Sequence, residues 1–247
     1  MVFLGTNGWY DTQTGNTICI LIRTTDYEII LDAGNGLYKL DRYIHEGNGK
    51  PVYLFLSHFH LDHIIGLHTL TKFNLYQGLN ICGPAGTRDT LEIFINAPFT
   101  ASISRLPFSV NTYELPDETN KLPFVVEARE LRHLSLTLGY RFEIEGKVIS
   151  YCPDTGLCEN AIHLARSSDL LIAECAYKSG QSSESWPHLN PETAAMIARD
   201  AGARSLALVH FDAEIYKTLA ERKEAEGVAR KIFKNTFMTA DDMEIDL

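Results

Sequence analysis

A chain of 247 residues, 45% hydrophobic and 22% charged, can bury a sizeable core and is expected to form a single domain over residues 1–247. Its formal net charge of −10 argues against a broad nucleic-acid footprint, because phosphate binding relies on clustered Lys and Arg. No run approaches roughly 18 consecutive apolar residues, and the opening MVFLGTNGWYD lacks a basic stretch followed by an apolar one, so neither a membrane span nor a secretory leader is expected and the cytoplasm is the default location.

In chain order, VFLG, NTICILIRT and YEIILDAG read as strands, rich in β-branched residues and bounded by Gly, Asn and Asp. GLYKLDRYIHEG places Leu37, Leu40, Tyr43 and Ile44 at helical spacing. VYLFLS is a continuous apolar run, as expected of a strand buried on both faces. Asp62 then offers a cap to a helix over HIIGLHTLTKF. The strand NICG and the helix AGTRDTLEIFI follow, and a looser β-rich region spans 104–149. TLGYRFEIEGKVISYC within it reads as a hairpin. Next come the helix ENAIHLARSS, the strand DLLIAEC, a loop over SGQSSESW, and a helix PETAAMIARDAG that Asn190 can cap with Pro191 in its first turn. The strand SLALVHF leads to a long helix expected from about 213 to 235, and FMTADDMEIDL closes the chain as a strand pair. Two comparable halves of this kind predict two packed sheets with helices outside. The five cysteines are scattered without a CxxC pair and read as small buried apolar groups, Cys152 included.

LSHFHLDHIIGL concentrates three of the nine histidines and an aspartate at the end of the VYLFL strand. His58 and His60, two apart, can aim at one point, and Asp62 and His63 can face a second. Imidazole and carboxylate suit a borderline divalent ion that needs about four ligands, so each point is only half filled. His133, Asp154 and His210 lie at later strand edges beside turn signals and supply the remainder. His68, five residues after His63, points away from that face, and His45 and His163 are expected to face solvent.

The motifs LGTNG, ILDAGNG, LSHFHLDHIIGL, CGPAG, RHLSLTLGYRF, PDTG, HLNPETAAMIARDAG and LVHF, spread over the whole chain, resemble those of the metallo-β-lactamase-fold hydrolases. The resemblance is closer to the branch holding ribonuclease Z and related phosphodiesterases. It implies an α/β four-layer sandwich, two mixed β-sheets flanked by helices, and two divalent metal ions, zinc first, with manganese and iron as alternatives. By it, His58, His60 and His133 hold one ion, Asp62, His63 and His210 the other, and Asp154 bridges them. Asp32 would orient a ligand without touching metal. Asp62 and His188 are the residues expected to act in the chemistry, His188 by protonating the departing oxygen. A metal pair can lower the pKa of a bridging water so that hydroxide exists near neutral pH. That alone does not separate a lactam, lactone, thioester or phosphodiester.

His188 favours a phosphodiester, since an alkoxide leaving group needs a proton donor and a β-lactamase does not characteristically carry this histidine. Ribonuclease Z typically inserts a long tRNA-gripping arm between the positions of His133 and Asp154. Here that interval is short and no basic run replaces the arm. The expectation is therefore a small or cyclic phosphodiester as substrate, tRNA disfavoured, and no membrane partner. A lactone or thioester hydrolase, or a tRNA 3′-processing enzyme without the arm, is the alternative. A homodimer would be in keeping with the branch.

Overall fold

The computed structural model describes residues 1–44 and 49–247. Its first half contributes strands β1 (Val2–Gly5), β2 (Asn7–Gly8), β3 (Cys19–Arg23), β4 (Glu28–Leu31), β5 (Val52–Phe55), β6 (Leu79–Gly83) and β7 (Val110–Glu114). The second half contributes β8 (Val125–Glu130), β9 (Leu138–Ile144), β10 (Lys147–Cys152), β11 (Leu170–Glu174), β12 (Leu206–Val209), β13 (Phe211–Asp212), β14 (Thr236–Met238) and β15 (Met243–Glu244). The α-helices are α1 (Leu61–Ile64), α2 (Thr87–Phe94), α3 (Glu159–Ala165), α4 (Pro191–Asp200) and α5 (Leu219–Ala229). One sheet runs β15-β1-β3-β4-β5-β6-β7 and the other β14-β12-β11-β10-β9-β8, with β2 and β13 pairing on their own. Both large sheets mix parallel and antiparallel neighbours, in the two-sheet, helix-flanked arrangement expected of the sequence.

The aromatic layer between the sheets holds Phe55, Tyr140, Phe142 and Tyr151 with Ile20, Ile172 and Val209, all buried. Phe55 meets Phe142 edge-on with ring centroids 4.9 Å apart. A second apolar layer, with Leu164, Ile197 and Leu208, lies under α3, α4 and α5, and a third, with Leu37, Leu67 and Leu91, lies on the outer face of the first sheet. Strands such as VYLF are therefore covered on both faces, which is why they read as unbroken apolar runs rather than alternating ones.

Register sets the functional edge. β5 lies parallel between β4 and β6, with Phe55 beside Leu31 and Cys82. In the other sheet β10, β11 and β12 are parallel, with Cys152 beside Ala173 and Glu174 beside Val209. The loops that follow β4, β5, β10, β11 and β12 all leave from carboxyl ends, the edge where open α/β sheets gather their binding groups.

Several expected elements differ. Residues Asn35–Arg42 and Ile65–Lys72 form 3₁₀ helices, and the α-helical part after β5 is a single turn. Asp62 does not cap that turn: His60 occupies the cap position and Asp62 lies inside it, its carboxylate turned to the site. The long final helix is shorter than expected. Residues 211–212 pair as β13, the Asp212 carboxylate accepts from the backbone of Glu214 and Ile215, and α5 begins only after a reciprocal Thr218/Glu221 cap. The closing strands do not pair with each other. β14 extends the second sheet beside β12, whereas β15 extends the first beside β1. The β9–β10 hairpin is as expected, turning through Glu145 and Gly146 at φ 52° and 73°. No helix among the described residues is long and apolar enough to cross a membrane.

Candidate metal centre

The polypeptide leaves β5 through Leu56 and Ser57 and delivers His58, then His60 in extended backbone, then Asp62 and His63 on the turn of α1. His133 stands between β8 and β9, where an isolated bridge between Arg132 and Gly156 holds its loop against that of Asp154. His210 separates β12 from β13 with φ 51°, a left-handed residue that lets the chain pass from one sheet to a different partner strand.

These seven side chains converge. Ligand atoms of His58, His60, His133 and Asp154 lie within 4.8 Å of one another, and so do those of Asp62, His63 and His210. Asp154 spans both groups. Its Oδ2 is 3.8 Å from Nε2 of both His58 and His133, while its Oδ1 is 3.1 Å from His63 Nε2 and 3.2 Å from His210 Nε2.

Whether such a centre suits metal is decided by its polar atoms. His58 Nε2 and Asp154 Oδ1 are buried without hydrogen-bond partners. Ring nitrogens also face one another, His63 Nε2 at 3.1 Å from His210 Nε2 and His133 Nε2 at 3.4 Å from His60 Nδ1. An unsatisfied buried polar atom costs about 1–3 kcal/mol, so the cluster makes physical sense around cations. Imidazole and carboxylate are the donors that borderline divalent ions take. Burial, reinforced by the neighbouring His63, pushes His58 well below its usual pKa, and burial brings His133 down to about 4. Both rings are thus neutral near pH 7, the form that coordinates.

Asp32 underlies the centre. Its Oδ1 accepts from the Ser57 backbone at 2.7 Å, and its Oδ2 accepts from Ser57 Oγ at 2.9 Å, Tyr151 OH at 2.6 Å and His63 Nδ1 at 2.8 Å. The Nδ1–H of His63 is therefore committed, and its Nε2 is left to the cluster. Gly8 is required by a close approach: a Cβ there would lie 2.4 Å from His210 Cε1. The Asn7–Gly8 strand is fixed from behind by the buried Arg222, which donates to Asn7 Oδ1 and to Thr6 Oγ1.

His188 stands beside the centre on the approach to α4, whose cap at Asn190 and Pro191 is as expected. It shares a third close grouping with Asp154 and His210 and lies nearly parallel to the His210 ring, 6.0 Å away. Its Nδ1 donates to Glu174 Oε1 at 2.7 Å. Burial alone would depress the ring, but the Glu174 carboxylate outweighs it and lifts the pKa to about 9. Glu174 itself is fully buried at the end of β11, accepting from the backbone of Thr155 at 2.6 Å and of Ala176 at 3.2 Å.

Glu174, Tyr151 and Ser57 were not expected to matter from the sequence. The available signal for Glu174 was a lone acid ending the apolar run LLIAE, since a carboxylate is seldom buried there without partners. Of the other histidines, His68 is exposed and bonded to Ile65 O, and His163 pairs with Glu127 at the surface. His45 lies outside the described residues. Cys152 is buried, its thiol pushed up by burial, and takes no part in the cluster.

A cavity of about 330 Å³ opens over the centre, walled by His60, Asp62, Asp154, His188 and His210 and rimmed by Trp9, Trp186 and Asp212. A larger groove of about 670 Å³ beside β7 lies elsewhere and carries none of these residues.

The chain is 25% identical to the ribonuclease Z of Methanosarcina acetivorans over 307 residues, covering 100% of this chain and 97% of that one. That span exceeds the 247 residues here, so the relative holds residues without counterpart in this chain. Among solved structures, the metallo-β-lactamase-fold protein YhfI of Bacillus subtilis superposes with a TM-score of 0.80 at 21% identity, covering 98% of this chain and 96% of its own. A diphosphatase of the PhnP family superposes with a TM-score of 0.73 at 14% identity, covering 100% and 96%. A family model described as the β-lactamase superfamily domain matches residues 27–211. Together with a histidine and aspartate cluster at the shared edge of two sheets, these matches make the chain a member of the β-lactamase superfamily and a metal-dependent hydrolase of its metallo-β-lactamase fold.

Proposed function

We propose that this hydrolase cleaves a small or cyclic phosphodiester, with His188 as general acid and Asp62 on the side of the attacking water. The observation that carries the reading is the Glu174–His188 pair. A buried carboxylate fixes Nδ1 of an imidazole that lines the same cavity as Asp154 and His210, which leaves Nε2 for the cavity. A thioester expels a thiolate and has no comparable need for a proton donor, whereas expulsion of an alkoxide from phosphorus does.

In this reading His58, His60 and His133 would hold one divalent ion and Asp62, His63 and His210 the other, and Asp154 would serve both; zinc is the first candidate and manganese or iron the alternatives. Such ions, when bound, supply a water of lowered pKa and neutralise charge gathering on the phosphoryl oxygens. The protein does the rest. Asp62 Oδ2 is anchored by the Trp9 backbone N–H at 2.8 Å, which holds the carboxylate in place to orient the attacking water. His188 Nε2 gives its proton to the leaving oxygen, and Glu174 stabilises the imidazolium beforehand. A positioned general acid of this kind is worth about 10²–10⁴-fold in rate.

A second reading is favoured by the relatives named ribonuclease Z, which align over essentially the whole chain: an endonuclease that trims the 3′ ends of precursor tRNA. Against it stand the tight β9–β10 hairpin between His133 and Asp154 and the net charge of −10. The two part in one panel. Zinc- and manganese-loaded protein is assayed on chromogenic phosphodiester, lactone, thioester and lactam substrates and on a precursor tRNA at physiological salt. The phosphodiester is expected to lead. Turnover of a lactone or thioester in its place, or tRNA cleavage at matching rates, would overturn the proposal.

A further inference from the structure

The chain has two tryptophans, and both stand on the rim of the cavity above the metal centre. Trp9 is 64% exposed and Trp186 48%. Nearby in sequence to His60, His133 and Asp154 stand three further exposed apolar side chains, Leu61, Leu134 and Leu157. Single exposed apolar residues are ordinary, but two exposed indoles lining one functional cavity mark a binding surface.

The backbone at Trp9 sharpens the point. Its φ of 72° is in the left-handed region, where Gly or Asn fits and a bulky side chain is a genuine outlier. The pairing of β2 with β13 and the bond from Trp9 N–H to Asp62 Oδ2 hold that conformation and leave the indole in solvent beside the cavity. Trp186, on the loop before His188, lies parallel to the His60 ring at 6.0 Å with 6° between planes, and its carbonyl accepts from Tyr177 OH at 2.7 Å. Both residues are thus anchored through their backbones while much of each side chain stays exposed.

Charge limits what else a ligand can carry. The described residues lining the cavity include Asp62, Asp154 and Asp212 but neither Lys nor Arg. The cations on neighbouring loops are engaged, Arg132 with Glu184 and Lys178 with Glu221. Away from the metal-binding side chains and His188, a second phosphate would find the Asp212 carboxylate and no Lys or Arg. The volume of about 330 Å³ also falls at the small end of the roughly 300–1,000 Å³ typical of small-molecule sites.

We propose that Trp9 and Trp186 seat a planar aromatic group, an aryl ring or a nucleobase, on the ester arm of a substrate whose only negative charge is the phosphodiester itself. This deepens the phosphodiesterase reading and rests on it for the identity of the reacting group. The ring stacks on the rim while the phosphorus sits over the cluster. Stacking on an aromatic of this kind contributes about 5- to 150-fold in affinity per ring by alanine substitution.

The test is a binding measurement independent of turnover. Zinc-loaded full-length protein is titrated calorimetrically with methyl phosphate, phenyl phosphate, thymidine 5′-phosphate and thymidine 3′,5′-bisphosphate. Phenyl phosphate or thymidine 5′-phosphate is expected to bind at least 5-fold more tightly than methyl phosphate, and which of them leads tells an aryl ester from a nucleotide. The bisphosphate should bind no more tightly than the monophosphate. Trp186→Ala should shrink the aromatic margin and Trp186→Phe should restore it, a rescue that a merely structural role would not give. Trp9→Asn, which suits the left-handed backbone, should shrink it too. Equal affinity for methyl and aromatic phosphates, a margin untouched by both variants, or tighter binding of the bisphosphate would overturn the proposal. Kinetics separate this inference from its foundation. If the aromatic margin stands but no phosphodiester turns over, the phosphodiesterase reading has failed and the aromatic rim has not. Dimethyl phosphate and benzyl methyl phosphate, whose leaving alkoxides are of matched basicity, cleaved with equal kcat/KM would sink the rim and leave the reading intact.

Discussion

Replacing Glu174 with Gln removes one charge while keeping the shape and an acceptor for the Thr155 amide. The consequence falls on His188. Its pKa of about 9 is maintained by the carboxylate against burial, so without that charge the ring returns at least to the ordinary value near 6.5. The sign follows from which form acts. The acid must be protonated, so the basic limb of the kcat profile lies on the high-pH side and moves toward acid in the variant. With a pKa of 6.5, about 3% of the molecules carry the proton at pH 8 and about three quarters at pH 6. The loss on an unactivated alkyl or cyclic phosphodiester should therefore be about 30-fold at pH 8 and under twofold at pH 6. The quantity to read is the separation of the two basic limbs, about 2.5 pH units. The assay is the pH dependence of kcat from about pH 5.5 to 9.5 on an alkyl ester, with metal content checked at each end. A basic limb that stays where it is in Glu174→Gln, with metals intact, would refute the assignment of the proton to His188.

Other expectations follow from the same geometry. Gly8→Ala places a methyl against the His210 ring and should weaken binding of one ion by about 10–100-fold, read by competition with a chelator, while far-UV circular dichroism is unchanged. Asp32→Asn turns an amide N–H toward His63 Nδ1–H, Tyr151 OH or Ser57 Oγ, and should also cost about 10–100-fold in metal affinity. In the inter-sheet layer, Phe55→Ala should lower stability by about 3–5 kcal/mol in urea unfolding of the metal-loaded protein, since the ring is fully buried among Phe142 and Tyr140.

Much of the centre could be read in the sequence because its residues interrupt apolar strands at their ends, where polar rings need a reason. His58, His60, Asp62, His63, His133, Asp154 and His210 all announce themselves in this way, and the structure brings all seven together. Glu174 was hidden because its meaning depends on β11 lying parallel between β10 and β12, a register that no local pattern encodes. The roles of Trp9 and Trp186 were hidden for the same reason: the loops bearing them meet only through β2, β13 and the closed pair of sheets. The start of α5 is written in the sequence. TLAE, residues 218–221, is the reciprocal cap that starts α5, but the apolar spacing before it masks the break made by the Asp212 turn. The final strands could not be assigned to separate sheets from sequence, since each is too short for its alternation to choose a partner.

The central claim is that His188 donates the proton to the leaving oxygen of a phosphodiester, and it is tested most directly by His188→Ala on two substrates of one metal-loaded preparation. A p-nitrophenyl phosphodiester expels a stable anion and hardly needs the proton, whereas an alkyl or cyclic phosphodiester expels an alkoxide that does. The expected result is a fall of about 10²–10⁴-fold in kcat on the alkyl ester, a much smaller loss on the aryl ester, and an unchanged metal content by elemental analysis. Equal losses on both esters with the metals retained would contradict it, and loss of metal would move His188 from proton donor to ligand.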